Sequence, residues 1–502
     1  MRAALLLALA LPAASLNAGL LRMQNVVHAA RAALPPGTVS VPPDQFFEQP
    51  VDHFAQLMGG AWRQRFWINS SFWAGTAASP VFLYIEGEGS GSPGSVLSGQ
   101  HVELAAVHGA LLVGLEHRFY GASNPTPSMT TAELRTLSSQ QALADLARFI
   151  SAYLVPTFNL NVSSNKIVTF GGSYPGALSA WARLTLPHLV SFAFSTSSPV
   201  QAVTDFQEYC NVVSSSFSLP AVGGSPACRN ALAGAFAEID AALRGTPAQA
   251  AAMAARMHSC TPPQSLDDIK WLASNIAGQF MGLVQYNEEV ASWPTVASFC
   301  TAMDAPGAQP LDVVAAALLQ TLGGAPCQDN SYANFIQGQA GNTTVDPAAR
   351  GVGIRQWTWQ TCSQFSYFQT CEQGTRCPFS SLMDFASQVK ICQDAFSEAI
   401  DAAFIDARVR FTNAYLGGFG IAGATADTSR ILFTNGGVDP WASLSVRPDN
   451  VPAASRDSVV WIPTGAHCRQ MRASSPNDPA DIVAARAQSA AILAAALKAC
   501  RL

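Results

Sequence analysis

The sequence predicts an α/β protein: a mostly parallel, wound sheet built from both ends of the chain, with a helical segment inserted between them. Three observations predict it. Short β-branched and aromatic runs alternate with helical stretches through roughly the first 160 residues of the folded part. From about Val203 to Thr412 strand signals vanish and Ala-, Leu- and Gln-rich helical stretches take over, after which strands return. All 11 cysteines lie at or after Cys210, so disulfides brace only the later part of the chain. The boundaries read as a leader over 1–18, a sheet core over 44–202 and 412–502, and a helical cap over 203–411.

The chain of 502 residues is long enough for such a core with an insertion. Hydrophobic residues make up 49% and charged residues 12%, which argues against disorder. The formal net charge of −5 and the lack of a basic block argue against a nucleic-acid partner. Met1 and Arg2, then an apolar run from Ala3 to Ala14 and small residues at Ala14, Ser15 and Ala18, have the form of a secretory signal peptide. That run, and the later Ala490 to Leu497, are shorter than the roughly 20 apolar residues of a membrane span. The expected product is a soluble protein of the secretory pathway, secreted or delivered to a lysosomal or vacuolar lumen. Sequons at Asn69, Asn161 and Asn342 agree with that route, whereas Asn124 precedes a proline and does not count. An odd cysteine count leaves at least one thiol outside intramolecular bridges.

Taken in order, Trp62 to Trp67 alternates as a strand, and Val81 to Ile85 is a second. It leads into Glu86-Gly-Glu-Gly-Ser-Gly91, a glycine-rich loop without the lysine of a phosphate loop, placed to supply oxyanion N–H groups. Leu111 to Leu115 is a third strand. Ser138 to Tyr153 has helical spacing, with Leu143, Leu146, Ala147 and Ile150 on one face. Ile167 to Phe170 and Val190 to Ser195 are further strands. Ala231 to Leu243 and Leu311 to Leu322 are helices of the insertion. Arg430 to Thr434 and Ser458 to Ile462 restore the sheet, and a final helix runs from about Pro479 to Cys500.

The stretch Lys166 to Arg183 organises the chemistry. A strand, then Gly171, Gly172 and Ser173, then a helix over Ala177 to Leu186, is the strand–turn–helix of an α/β-hydrolase nucleophile elbow. The usual G-x-S-x-G is altered: Pro175 occupies the second small position. Proline fits a first helical turn, but it biases Tyr174 away from helical dihedrals. A serine nucleophile needs a base and an orienting carboxylate, which in this fold follow it in the order acid, then histidine. Asp439 lies just past the strand in Ile431 to Trp441, and His467 just past the strand in Val459 to His467. Both sit where reactive groups of wound sheets collect. Of the eight histidines, His53 and His117 precede the elbow and His188 immediately follows its helix, so His467 is the one in the required place. The expected catalytic residues are Ser173, Asp439 and His467, with the oxyanion held by the N–H groups of Tyr174 and Gly87. No metal and no cofactor are expected: the spacing of Cys362, Cys371, Cys377 and Cys392 fits no common zinc site.

These motifs resemble the lysosomal and secreted serine peptidases that include prolyl carboxypeptidase, dipeptidyl peptidase II and thymus-specific serine protease. The matching stretches run in order along nearly the whole mature chain: Gln49 to Phe54, Arg63 to Phe66, Gly87 to Gly89, Glu116 to Gly121, Leu143 to Asp145, Gly171 to Tyr174, Ser198 to Val200, Asn435 to Trp441 and Gly465 to Cys468. The cap run Arg355 to Cys362, with Thr370 to Glu372 and Arg376 to Ser380, is most similar to the thymus-specific branch. The resemblance implies the same triad, a helical cap over an α/β-hydrolase core, and exopeptidase cleavage of short peptides, commonly after proline. By analogy it implies disulfides Cys362–Cys392 and Cys210–Cys371. The chain departs from the family's pattern at Pro175, Glu86, Ala442 and Gln470, which flank the nucleophile, the acid and the base and bear on rate and specificity.

Glu86 and Glu88 are placed to meet a free substrate amine, and Trp441 to wall a proline-sized pocket. Each also has a plain alternative, a solvated loop or core packing. Short peptides are the expected partners, and a homodimer is left open. Two other classes share the scaffold: a lipase or esterase using the same triad, and a catalytically impaired binding member.

Overall fold

A computed structural model describes residues 40–55, 59–290, 292–348, 351–423, 430–453, 455 and 457–499. The leader expected over 1–18 and Cys500 lie outside the described residues. The strands are β1 (Gln45–Pro50), β2 (Ala61–Asn69), β3 (Val81–Ile85), β4 (Leu111–Leu115), β5 (Ile167–Gly172), β6 (Val190–Thr196), β7 (Val203–Asp205), β8 (Ser366–Phe368), β9 (Ile431–Gly436) and β10 (Ser458–Ile462). Eight of them form one sheet in the order β1-β2-β4-β3-β5-β6-β9-β10. Only the β1–β2 and β2–β4 pairs of that sheet are antiparallel; every other pair is parallel. This is a mostly parallel α/β-hydrolase sheet. β1 is an addition to the sequence reading: its alternation is broken by Gln49 and Pro50, and it pairs with β2 from the edge.

The central strands are continuously apolar because both sheet faces are covered. Val81, Leu83 and Ile85 face one core with Leu143, Leu146 and Phe149 of the helix Ser139–Phe149 and Leu178 and Trp181 of the helix Tyr174–Thr185. Phe82, Leu112, Val168 and Phe170 face the other, with Val102 and Leu104 of Gln100–His108 and Ile482, Ala485 and Leu493 of the last helix. That last helix, Ala480–Lys498, extends the Ala490 to Leu497 run; at 19 residues it is long and apolar enough, by length and composition, to cross a membrane.

Between β6 and β9 the chain forms the helical cap. Its helices include Gln207–Ser216, Pro226–Leu243, Leu266–Gln285, Ile354–Gln360, Phe385–Ala395 and Ala402–Leu416. Their starts follow from local chemistry: the hydroxyls of Ser225 and Ser265 accept the N–H of Cys228 and Asp268 as N-caps. The insertion is not free of strands, because β7 and β8 pair in parallel within it. Three residues each are too few to show a period, and Ser366 and Tyr367 adopt positive φ.

Disulfides Cys228–Cys300, Cys260–Cys327, Cys362–Cys392 and Cys371–Cys377 brace the cap. The Cys362–Cys392 expectation is met. Cys210–Cys371 is corrected: Cys371 bonds Cys377 across a short turn with Cα atoms 5.5 Å apart, and Cys210 is a buried free thiol.

Candidate active site

β5 ends at Gly172, and Ser173 turns the chain sharply with φ 65° and ψ −134°. A non-glycine residue held there stores strain of about 1–3 kcal/mol, and the surroundings hold it. The Ser173 N–H donates to the Thr196 carbonyl at 2.9 Å, and its own carbonyl accepts the Ala177 N–H at 3.1 Å. Gly171 must lack a side chain, since a Cβ there would lie 2.1 Å from the Pro175 carbonyl oxygen. Pro175 does not push Tyr174 out of the helix, contrary to the sequence reading. The helix begins at Tyr174 with proline in its first turn, where the missing N–H costs nothing. Instead the proline ring packs on the glycine-rich loop: a Cβ on Gly87 would sit 2.4 Å from Pro175 Cγ. Thus Gly87 is brought against the first turn of the elbow helix, whose leading N–H groups the helical ladder leaves unused.

The acid and base loops cross beside this turn. Gly437 N–H donates to the Ile462 carbonyl and Val438 N–H to that of Gly465. A Cβ on Gly436 would lie 2.0 Å from the Gly465 carbonyl oxygen, so glycine allows the crossing. It brings Asp439 Oδ1 to 2.9 Å from His467 Nδ1, with both side chains buried. A carboxylate only accepts, so Nδ1 carries the proton and Nε2 is left as the basic nitrogen. Burial would disfavour the imidazolium, but the Asp439 carboxylate and, after it, the neighbouring Cys468 sulfur outweigh it and raise the His467 pKa above its ordinary value. Asp439 Oδ1 also accepts the Trp441 N–H at 3.0 Å, which fixes the carboxyl at the start of the turn Pro440–Leu444.

Ser173, His467, Gly87, Glu86 and Glu88 all line one cavity of about 320 Å³. Tyr286, Glu289, Cys468 and Arg472 line it too. Burial pushes the Glu86 carboxyl up to about 7, and its Oε1 makes no hydrogen bond. Arg472 is ion-paired with Glu289. Trp441 is not among the lining residues. It packs on Phe206, Tyr209 and Tyr367, with its ring centroid 6.3 Å from that of His467, so it backs the histidine rather than walling the cavity.

Sequence reasoning missed the cap's contribution. Gln285, the last residue of Leu266–Gln285, is fully buried. Its carbonyl accepts the His467 N–H at 2.9 Å. Its Oε1 accepts Trp441 Nε1 at 2.9 Å and the Tyr209 hydroxyl at 2.6 Å. One glutamine therefore ties the acid and base loops to the cap, and no local pattern announces it. The departures are also accommodated: Gln470 donates to Thr434 Oγ1, and Ala442 is buried in the turn after Asp439. Among the sequons, Asn161 and Asn342 are exposed. Asn69 is 9% exposed and donates to the Val96 carbonyl at 2.8 Å, so its amide lies against the fold where those of Asn161 and Asn342 face solvent.

The other recurring motifs support rather than line the cavity. Arg118 grips Asp145 through Nε at 2.6 Å and Nη2 at 2.7 Å, and His53 Nε2 reaches the same carboxylate at 2.7 Å. His117 Nε2 lies 3.0 Å from the Tyr174 hydroxyl, and burial lowers its pKa to about 4, so it stays neutral.

Residues 49–489 match the Serine carboxypeptidase S28 family. The chain is 37% identical to a "Thymus-specific serine protease" of Homo sapiens over 89% of this chain and 85% of that one. It is 37% identical to the protein of that name in Mus musculus over 88% and 85%. It is 27% identical to a "Lysosomal Pro-X carboxypeptidase" of Bos taurus over 87% and 84%.

Proposed function

The chain belongs to the Serine carboxypeptidase S28 family and is a serine peptidase, and from that premise we propose that Ser173, Asp439 and His467 form its catalytic triad. The observation that carries this reading is the buried Asp439–His467 pair opening on the same cavity as the strained Ser173 elbow. His467 Nε2 takes the Ser173 proton as Oγ attacks the scissile carbonyl. The N–H groups of Tyr174 and Gly87 hold the oxyanion. His467 then returns the proton to the leaving amine, and water repeats the sequence to release the acyl group from Ser173.

The substrate class is a short peptide cleaved near one end, after proline. One relative supports the proline preference and an end-directed cut, a Pro-X carboxypeptidase, whose name places that cut at the carboxyl end. The cavity's charge favours the amino end. Its lining holds the acidic side chains Glu86, Glu88 and Glu289 against one guanidinium, Arg472, which is engaged by Glu289; Glu86, with its carboxyl pushed up to about 7, adds its charge only at and above neutral pH. An ammonium group meets attraction there and a free carboxylate meets repulsion. The disulfide-braced cap and the lysosomal relatives support a secretory or lysosomal destination.

The test is fluorophore release from proline-containing and proline-free di- and tripeptide reporters, with free or acetylated amines, by wild type, Ser173→Ala and Glu86→Gln. Free-amine turnover after proline that vanishes in Ser173→Ala, and loses its preference over the acetylated reporter in Glu86→Gln, supports the reading. Ester hydrolysis without peptide turnover points to an esterase instead.

A further inference from the structure

A second cavity, of about 370 Å³, lies away from Ser173 between the segment 131–138 and the cap. Its size falls in the range of small-molecule sites, roughly 300–1,000 Å³. Leu137, Trp359, Ile400 and Phe404 supply apolar wall, and Arg135 and Arg408 supply charge. Among the described residues, no acidic side chain lines it. The nearest acids along the chain are otherwise placed: Asp406 pairs with Arg410 and accepts the Thr204 hydroxyl, Asp401 caps the helix Ala402–Leu416 through the Phe404 N–H, and Glu133 is held by Ser128 and Thr130. Glu398 is exposed beside the rim.

Arginines of this chain meet their charge in different ways: Arg355 is buried without a carboxylate and donates to the carbonyls of Met129, Ala340 and Ala395. Arg65, Arg118, Arg472 and Arg486 each pair with a carboxylate. Among the described residues, neither Arg135 nor Arg408 has an ion-pair partner. Arg408 is only partly exposed; its Nε donates to the Ser363 carbonyl at 2.8 Å, and burial lowers its pKa. A half-buried guanidinium without a counter-charge is costly, and its fork geometry suits a carboxylate. We infer that this cavity binds a small apolar carboxylate, with Arg135 and Arg408 on the acid group and Trp359, Leu137, Ile400 and Phe404 around its apolar body. Two sources share that chemistry, a free aliphatic or aromatic acid and the C-terminus of a short apolar peptide.

The site also adjoins the elbow's support. Gln364, which lines it, accepts the Ser139 N–H at 3.0 Å, and Ser139 Oγ lies 3.2 Å from the Tyr174 hydroxyl. The inference is independent of the triad.

Calorimetric titration of the full chain tests it, using 4-phenylbutyrate and N-acetyl-Leu-Phe as the two sources and their amides as controls. The expected result is binding of at least one acid, no binding of its amide, and a loss of about tenfold or more in Arg135→Gln and in Arg408→Gln. Arg135 is exposed, so its variant keeps the test valid if Arg408→Gln fails to fold. Equal binding of acid and amide, unchanged affinity in Arg135→Gln, or no heat with either acid at millimolar concentration would overturn the inference.

Discussion

Replacing Asp439 with asparagine changes one oxygen for an NH₂ group and leaves the side-chain shape. Its consequence follows from the 2.9 Å contact between Asp439 Oδ1 and His467 Nδ1. At that separation and an effective dielectric of about 20, a carboxylate stabilises an imidazolium by roughly 6 kcal/mol. Since about 1.4 kcal/mol is a factor of ten in rate, the loss corresponds to about four orders of magnitude in kcat. The Trp441 N–H and His467 Nδ1 both meet the same oxygen, Oδ1. An asparagine that keeps oxygen there still accepts both bonds but brings no negative charge to the imidazolium, and one turned the other way faces Nδ1 with NH₂ and selects the tautomer with the proton on Nε2, which cannot accept from Ser173. The pH profile moves as well. His467 must be neutral to act, and Asp439 holds its pKa up, so in Asp439→Asn the acidic limb of kcat/KM shifts to lower pH while the plateau falls. The assay is steady-state turnover of the best peptide reporter across the acidic to mildly alkaline range, with a thermal melt as the folding control. A variant that melts like wild type yet keeps more than about a tenth of its activity would refute the reasoning.

Three further outcomes are expected. Gly87→Ala sets a methyl group against the Pro175 ring and displaces the loop, lowering kcat by about 100-fold if Gly87 supplies an oxyanion donor; adding Pro175→Ala should recover part of it, and no recovery would reject the contact as the cause. Gln285→Ala leaves the buried Trp441 Nε1 and Tyr209 hydroxyl donors without their acceptor, so urea unfolding should show a loss of about 1–3 kcal/mol per donor, and an unchanged midpoint would refute that. Asp145→Ala strands Arg118 and should cost about 3–5 kcal/mol in the same measurement. Burial alone would raise the Asp145 pKa, but Arg118 and His53 bring it below 3.8, so the stability this carboxylate contributes is present above the ordinary value and is lost as pH falls through the lowered one. A wild-type protein equally stable at about pH 2 and about pH 6 would contradict this.

The sequence by itself determined what is local. The elbow is legible because a strand, two glycines, a serine and a helix are consecutive, and their dihedral demands are short-range. Asp439 and His467 are legible because each ends its own strand, and a parallel sheet delivers strand ends to one edge whatever lies between. The runs of β3 and β4 match residue for residue, since burial on both faces leaves no polar interruption. Tertiary structure alone decided what depends on distant approach. Cys371 has other cysteines to bond, and only the folded turn brings Cys377 to it. Asn69 satisfies a sequon yet lies at the end of a strand against the Val96 carbonyl. Trp441 reads as a pocket wall beside the acid until Phe206, Tyr209 and Tyr367 close around it. Gln285 carries no pattern, because a buried side-chain hydrogen bond joins residues 156 positions apart and periodicity does not extend that far. Side-chain partners at such separations are set by how the elements pack, and packing is a property of the whole fold.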